Sequence, residues 1–296
     1  MNVTAGAILS EPDRKRKTAL TKVLARHIRV EMLDILHQKG TGHWGGSASA
    51  CELVTALYFL RMNIDPARPL WEDRDRFVLS KGHASLLLYE VLAHRGFFNL
   101  ALVQTFRDID STLQGHPCMR KTPGVDMSTG ALGHGISVGL GMALASKLSG
   151  KGFWTYVMVG EGCLDEGQSW EAIMAAAKYR PERFVLFVDN NGVQLDGPSA
   201  EIMPLGSINE KLKAFGWNVA PGSYDGHDLD AIQKTYDWLD APGAWPRAVV
   251  YTTVKGKGVS FMEGKNKWHG SPVDDGSWNS ARPELLAALA EAEASL

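Results

Sequence analysis

Trp154-Thr155-Tyr156-Val157-Met158-Val159-Gly160-Glu161-Gly162 and, past an intervening helical pattern, Phe184-Val185-Leu186-Phe187-Val188-Asp189-Asn190-Asn191 decide the fold of this chain. Each opens as an apolar run rich in β-branched and aromatic residues, the composition of a strand covered on both faces. Between them, Asp165-x-x-Gln168 has capping-box spacing, and Trp170, Ile173, Met174 and Ala177 recur at helical intervals. The spacing predicts a helix that Pro181 brings to a close. Strand–helix–strand then implies a parallel pair with a right-handed crossover. Polar groups fall just past each strand's carboxyl end, where open α/β sheets bind ligands. Glu161 and Asn191 are placed to meet across neighbouring strand ends. Two protein oxygens, completed by a diphosphate and water, is how Mg²⁺ is usually held. The unit therefore reads as a site for a metal-bound diphosphate.

Outward from this unit, helical and strand patterns alternate. A helix is expected from about Arg14 to Gln38, with Leu20, Val23, Leu24, Ile28, Met32, Ile35 and Leu36 as its apolar stripe. His43-Trp44-Gly45-Gly46-Ser47 reads as a glycine-rich loop, and Ser49 to Leu60 as a helix. Phe77 to Ser80 is a short strand ending in Lys81-Gly82-His83, followed by a helix to Arg95. Asp110 to Thr129 is a long loop carrying Gly115-His116-Pro117, and loops of that length are usually functional. Helices are expected at Ile136–Leu148, Pro204–Phe215 and Asp228–Leu239, further strands at Trp217–Val219 and Ala248–Thr252, and a last helix at Pro283–Leu296. Lys255-Gly256-Lys257-Gly258 reads as a mobile glycine loop. The fold class is α/β: a mostly parallel sheet with helices on both faces, in one domain over 1–296.

Composition sets bounds on function. With 31 Lys and Arg against 33 Asp and Glu, the net charge of −2 makes no electrostatic case for nucleic acid. Cys51, Cys118 and Cys163 show no paired spacing, which fits a reducing compartment and argues against a thiolate zinc site. Neither a signal-peptide core nor a membrane-length apolar run is present, so a cytoplasmic, non-membrane protein is expected.

Gly160-Glu161-Gly162-Cys163-Leu164-Asp165-Glu166-Gly167 followed by Asp189-Asn190-Asn191-Gly192-Val193 resembles the thiamine-diphosphate motif of transketolases. Gly42-His43, Arg76 to His83, Gly115-His116-Pro117, Ser128 to Gly135 and His269-Gly270 match further family motifs in the family's order. The resemblance implies the diphosphate-binding domain of the thiamine-diphosphate fold. It implies Glu161, Asn191 and the Val193 carbonyl as ligands of Mg²⁺, or of Ca²⁺ or Mn²⁺ in its place. It puts His83, Gly130, Leu132, Gly160, Glu161, Gly162, Asn191 and His269 at the cofactor. His83 and His269 then stand at the reacting centre, while His43 and His116 contact hydroxyls of a ketose donor. Glu166 faces a dimer interface. Three positions depart from the family near the expected site: Glu161 for its Asp, Trp44 for its Pro and His134 for its Gln.

Nothing after Gly270 resembles the domain that holds the aminopyrimidine ring and supplies the activating glutamate. The resemblance thus implies the N-terminal subunit of a split transketolase, working with a C-terminal subunit in an α2β2 assembly on small sugar substrates. Two other readings stand beside it. One is a subunit of a 1-deoxyxylulose-phosphate-synthase-like or 2-oxoacid-dehydrogenase-like enzyme. The other is a non-catalytic binding subunit of the same fold.

Overall fold

The computed structural model describes residues 3–296. In chain order the elements are α1 (Ala5–Ser10), α2 (Arg14–Lys39), α3 (Trp44–Ser49), α4 (Cys51–Ala56), β1 (Arg76–Leu79), α5 (Ser85–Arg95), α6 (His134–Ser149), β2 (Thr155–Gly160), α7 (Gly167–Tyr179) and β3 (Phe184–Asn190). There follow α8 (Ser199–Ile202), α9 (Ile208–Ala214), β4 (Asn218–Val219), β5 (Tyr224–Asp225), α10 (Leu229–Asp240), β6 (Arg247–Thr252) and α11 (Asp275–Ala294). The strands run in the order β1-β2-β3-β6-β4, with β5 also on β6, and every pairing is parallel.

Strand residues alternate between two cores. Tyr156, Met158, Val185, Phe187, Val249 and Tyr251 join the larger one, which α2, α4, α5, α10 and α11 cover. Val157, Val159, Leu186, Val188 and Ala248 join the second, beneath α6, α7 and α9. This two-sided burial is why the strands are apolar without interruption. Gly139 lets α6 lie directly on β2: a Cβ there would come 2.3 Å from Val157 Cγ2.

Four strand ends line up along one edge. Gly160 pairs with Asp189 and Asn190 with Thr252, while Ser80 donates its amide to Met158 O at 2.8 Å. Asp110 to Thr129 is a loop, as expected, and passes over this edge at His116. α2 closes at Gly40, which adopts a left-handed φ of 59°.

Several expectations are corrected. His43 to Ser47 is not a loop: His43 is the N-cap of α3, and Trp44 is fully buried in the larger core. The capping box at Asp165 does not form, because Glu161 to Asp165 makes a 3-10 turn and Glu166 becomes the N-cap of α7 without a side-chain bond. The inward face of α7 is Ser169, Ala172, Ile173 and Ala176, and Met174 points out. The last helix begins at Asp275, eight residues before Pro283, because Asp274 caps it on the Ser277 amide at 2.7 Å. Lys255 to Gly258 is pinned rather than mobile: the Gly256 amide donates to Gly45 O at 3.0 Å and Gly258 packs on Arg29. The short β5 had no readable sequence signal.

Replacing Gly139 with Ala forces a methyl into Val157, and overpacking of this kind costs about 1–3 kcal/mol. Urea unfolding of Gly139→Ala should show a lower midpoint at unchanged slope.

Candidate active site at the strand ends

At the carboxyl edge, Lys81 follows β1 and Asp189 lies near the end of β3, and both are fully buried. Lys81 Nζ donates to an Asp189 carboxylate oxygen and, at 2.6 Å, to Gly46 O. Ser49 donates to the same carboxylate at 2.6 Å, and the Thr253 hydroxyl takes its other oxygen. Burial alone would raise the Asp189 carboxyl, but Lys81 with the two hydroxyls holds it below the usual range. The floor of the edge is thus one satisfied polar cluster.

On that floor sits a cavity of about 190 Å³ lined by Gly160, Glu161, Gly162, Leu132, Leu195, Asn191 and Val193, together with Lys81, His83, Lys255 and His269. Glu161 is buried and accepts the Gly192 amide at 2.9 Å and the Ser199 hydroxyl. Burial pushes its carboxyl up from the ordinary value. Asn191 Oδ1 accepts the Val193 amide at 3.2 Å, in a hairpin closed by the Val193–Pro198 bridge. The Val193 carbonyl carries a cation: Lys255 Nζ donates to it at 2.9 Å and to Gln194 O at 3.2 Å. The same ammonium stands 2.8 Å from His269 Nδ1. Burial and the nearby Lys81 bring Lys255 down to about 8.

The four predicted histidines come together from four separate stretches of chain. Ring centroids of His83 and His269 are 4.8 Å apart, His43 lies 5.4 Å from His83 and 5.5 Å from His269, and His116 lies 6.4 Å from His43. Burial, then the neighbouring cations and imidazoles, lowers His43 and His269 to about 4, and His83 well below its ordinary value. His116 is exposed and is lowered as well. The rings are therefore neutral at pH 7. Arg107 Nη2 faces His43 Nδ1 at 3.4 Å, and Lys255 faces His269 Nδ1. Both neighbours only donate, so Nδ1 accepts in each ring and Nε2 carries the proton.

Other predicted residues lie at the margin. Gly130 packs on His116 and Gly82 behind the cavity. Glu166 is exposed beside Gly133. His134 is exposed and bonded to Leu132 O at 3.1 Å, while Trp44 is buried in the larger core. Sequence reading missed Asp189, Lys81 and Lys255 as site residues, and it missed Arg107.

Residues 20–286 match the family model described as transketolase, thiamine diphosphate binding domain. The chain belongs to the transketolase family. It is similar to a 6-deoxy-6-sulfo-D-fructose transketolase subunit from Clostridium sp. (strain MSTE9), 42% identical over 261 residues, covering 88% of this chain and 94% of that protein. It is 40% identical over 241 residues to an apulose-4-phosphate transketolase subunit of Phocaeicola vulgatus, covering 81% and 85%. Among solved structures, the transketolase of Campylobacter jejuni superposes with a TM-score of 0.83 at 27% identity, over 92% of this chain and 45% of that one. This transketolase chain is thus of the N-terminal subunit kind. Among the described residues no helix is long and apolar enough to cross a membrane.

The transketolase cavity fits a diphosphate on its own chemistry. Its polar wall offers the positive charge of Lys255 and the His269 Nε2–H, and the glycine turn at Gly160–Gly162 leaves backbone within reach. Close approach is built in on the opposite side too: a Cβ on Gly46 would meet His83 Nε2 at 2.8 Å.

Lys81→Met leaves Asp189 buried and uncompensated, so stability should fall by about 3–5 kcal/mol, with much of it restored in Lys81→Met/Asp189→Leu. Urea unfolding of both variants checks this. His43 and His269 should titrate near pH 4 by imidazole NMR. The unfolded chain binds more protons between about pH 6.5 and 4, so this contribution to stability is lost as pH falls through that window.

Proposed function

We propose that this chain, joined to a partner chain, transfers a two-carbon ketol unit from a ketose donor to an aldose acceptor with thiamine diphosphate and a divalent cation. The placing of His83 and His269 on the cavity beside the Glu161–Asn191–Val193 hairpin, with His43 packed ring to ring against both and His116 6.4 Å beyond it, carries this reading. Glu161, Asn191 Oδ1 and the Val193 carbonyl form an oxygen set suited to a hard cation such as Mg²⁺. Lys255 already places positive charge on one of those oxygens. Glu for the family's Asp at 161 adds a methylene, which the Ser199 and Gly192 contacts take up.

When bound, thiamine diphosphate supplies the carbon nucleophile and electron sink for ketol transfer. The protein's own part is donation, proton traffic and exclusion of water. Nε2–H of His269 offers a hydrogen bond to a phosphate oxygen inside the cavity, and that of His43, packed against His83 and His269, offers one to a substrate hydroxyl. His116, exposed at the rim and neutral, is placed to accept a donor hydroxyl proton and return it. Arg107, bonded to Thr41 Oγ1 at 2.6 Å, keeps His43 in the tautomer that donates.

Exposed Leu195, which lines the cavity, and exposed Ile202 and Met203 just past the hairpin offer apolar surface. That surface, and the subunit names of the two relatives, support a partner chain holding the aminopyrimidine half and the activating carboxylate. An assembly of two copies of each chain fits the symmetry of most oligomers. The single domain over 1–296 is read as the diphosphate half.

The purified chain should show no ketol transfer alone and gain it when its partner is added, followed by coupled assay with a panel of ketose donors. In the assembled enzyme His116→Ala should lower kcat/KM by about 10²–10⁴-fold, the usual range for a lost proton-transfer group. Unchanged rates for His116→Ala and Glu161→Ala would leave only a binding role.

A further inference from the structure

We propose that Glu31, Glu90 and His94 form a binding site for one transition-metal dication, with Zn²⁺ the best-matched ion, between α2 and α5. Three ligand atoms, one from each residue, lie within 4.8 Å of one another. None of the three lines the cavity described above.

The site is built from two helical repeats. His27 and Glu31 stand one turn apart on α2, and Glu90 and His94 one turn apart on α5. Residues four apart on a helix share a face, so the packed helices turn two acid–imidazole pairs toward each other. His94 Nε2 is 2.6 Å from Glu31 Oε2, and His27 Nε2 is 3.2 Å from Glu31 Oε1. The two imidazole rings meet edge to face at 5.9 Å.

Glu90 points independently to a ligand. Its side chain is 1% exposed, and neither carboxylate oxygen has a hydrogen-bond partner. A buried carboxylate without a donor is among the most costly groups a core can contain. Among the described residues, no Lys or Arg forms an ion pair with Glu31 or Glu90. The two acids therefore face each other with imidazoles as their only basic company. A dication between them would neutralise both and give Glu90 the partner it lacks. Burial and the nearby Glu31 raise the Glu90 carboxyl well above its ordinary value, so without an ion it keeps its proton, which an incoming metal displaces.

The donor set selects the ion class. Carboxylate oxygens with an imidazole nitrogen suit Zn²⁺ and its first-row neighbours, whereas Mg²⁺ and Ca²⁺ take oxygen alone. His27 keeps the outer oxygen of Glu31 oriented, the arrangement that strengthens a metal-bound carboxylate. A bound ion would clamp the helix that leads into His43 to the helix that starts just after His83.

The test uses the full-length chain stripped of metal by chelation, with thiamine diphosphate and Mg²⁺ left out. Titration with ZnCl₂ by calorimetry should show one equivalent bound and a raised Tm, and CoCl₂ should give the visible d–d bands of a nitrogen–oxygen site. Glu90→Gln, which keeps shape, and His94→Gln should each weaken binding by at least about tenfold, the lower end of what losing even an outer partner costs. Glu161→Ala should retain full binding, which separates this site from the cavity. Metal-free Glu90→Gln should melt no lower than the parent, showing that it folds. Absence of stoichiometric Zn²⁺ or Co²⁺ binding by the parent, or equal affinity in both variants, would overturn the proposal and leave Glu90 as a protonated core acid.

Discussion

The buried Lys81–Asp189 pair is the constraint on which the rest of the edge depends. Its value is positional more than energetic, since a buried ion pair seldom outperforms an apolar pair of the same shape. Gly46 and Ser49 from α3, Lys81 from the end of β1, Asp189 from β3 and Thr253 from the end of β6 all satisfy one another. Neither Lys81 nor Asp189 can move without stranding a buried charge. The cavity is therefore a by-product of four segments that have no freedom to close over it.

That rigidity explains the electrostatic character of the site. His43, His83 and His269 are buried and crowded among Lys81, Lys255 and Arg107, so each of these rings gives up its proton before the cations do. A set of neutral rings with fixed tautomers offers hydroxyl and carbonyl groups one donor and one acceptor each. The same crowding lowers Lys255, yet at about 8 it remains mostly charged at neutral pH.

The parallel sheet was legible because it depends on local signals, whereas the grouping of the four histidines came from the resemblance to a family's ordered motifs. Apolar runs mark the strands, and small residues mark the loops at their ends. Lys81 and Asp189 were not legible as a pair: they lie 108 positions apart and each reads as ordinary strand-end punctuation. The glycine stretch at Trp44–Ser47 misled in the same way, because Gly45 and Gly46 are there for close contact with Lys255 and His83, not for flexibility. Pro283 suggested a helix start, but tertiary anchoring through Trp278 and Arg282 to Asp34 holds the helical turns that precede it. The Glu31 and Glu90 pairings needed the relative rotation of two helices, which periodicity alone does not give.

α2 has a consequence of a different kind. Along its 26 residues it carries Arg29, which grips Glu52 at 2.7 Å, and Glu31, and it hands the chain to Thr41 and His43. Glu52 meets His227 Nδ1 at 3.1 Å, and His227 Nε2 accepts the Val254 amide at 2.9 Å, next to Lys255. The helix is thus a shaft with several keyed stations, and its phase is shared among them. One inserted residue would turn everything beyond it by about 100°, uncoupling Arg29 from Glu52 or Thr41 from Arg107. Length variation is accordingly barred from this helix.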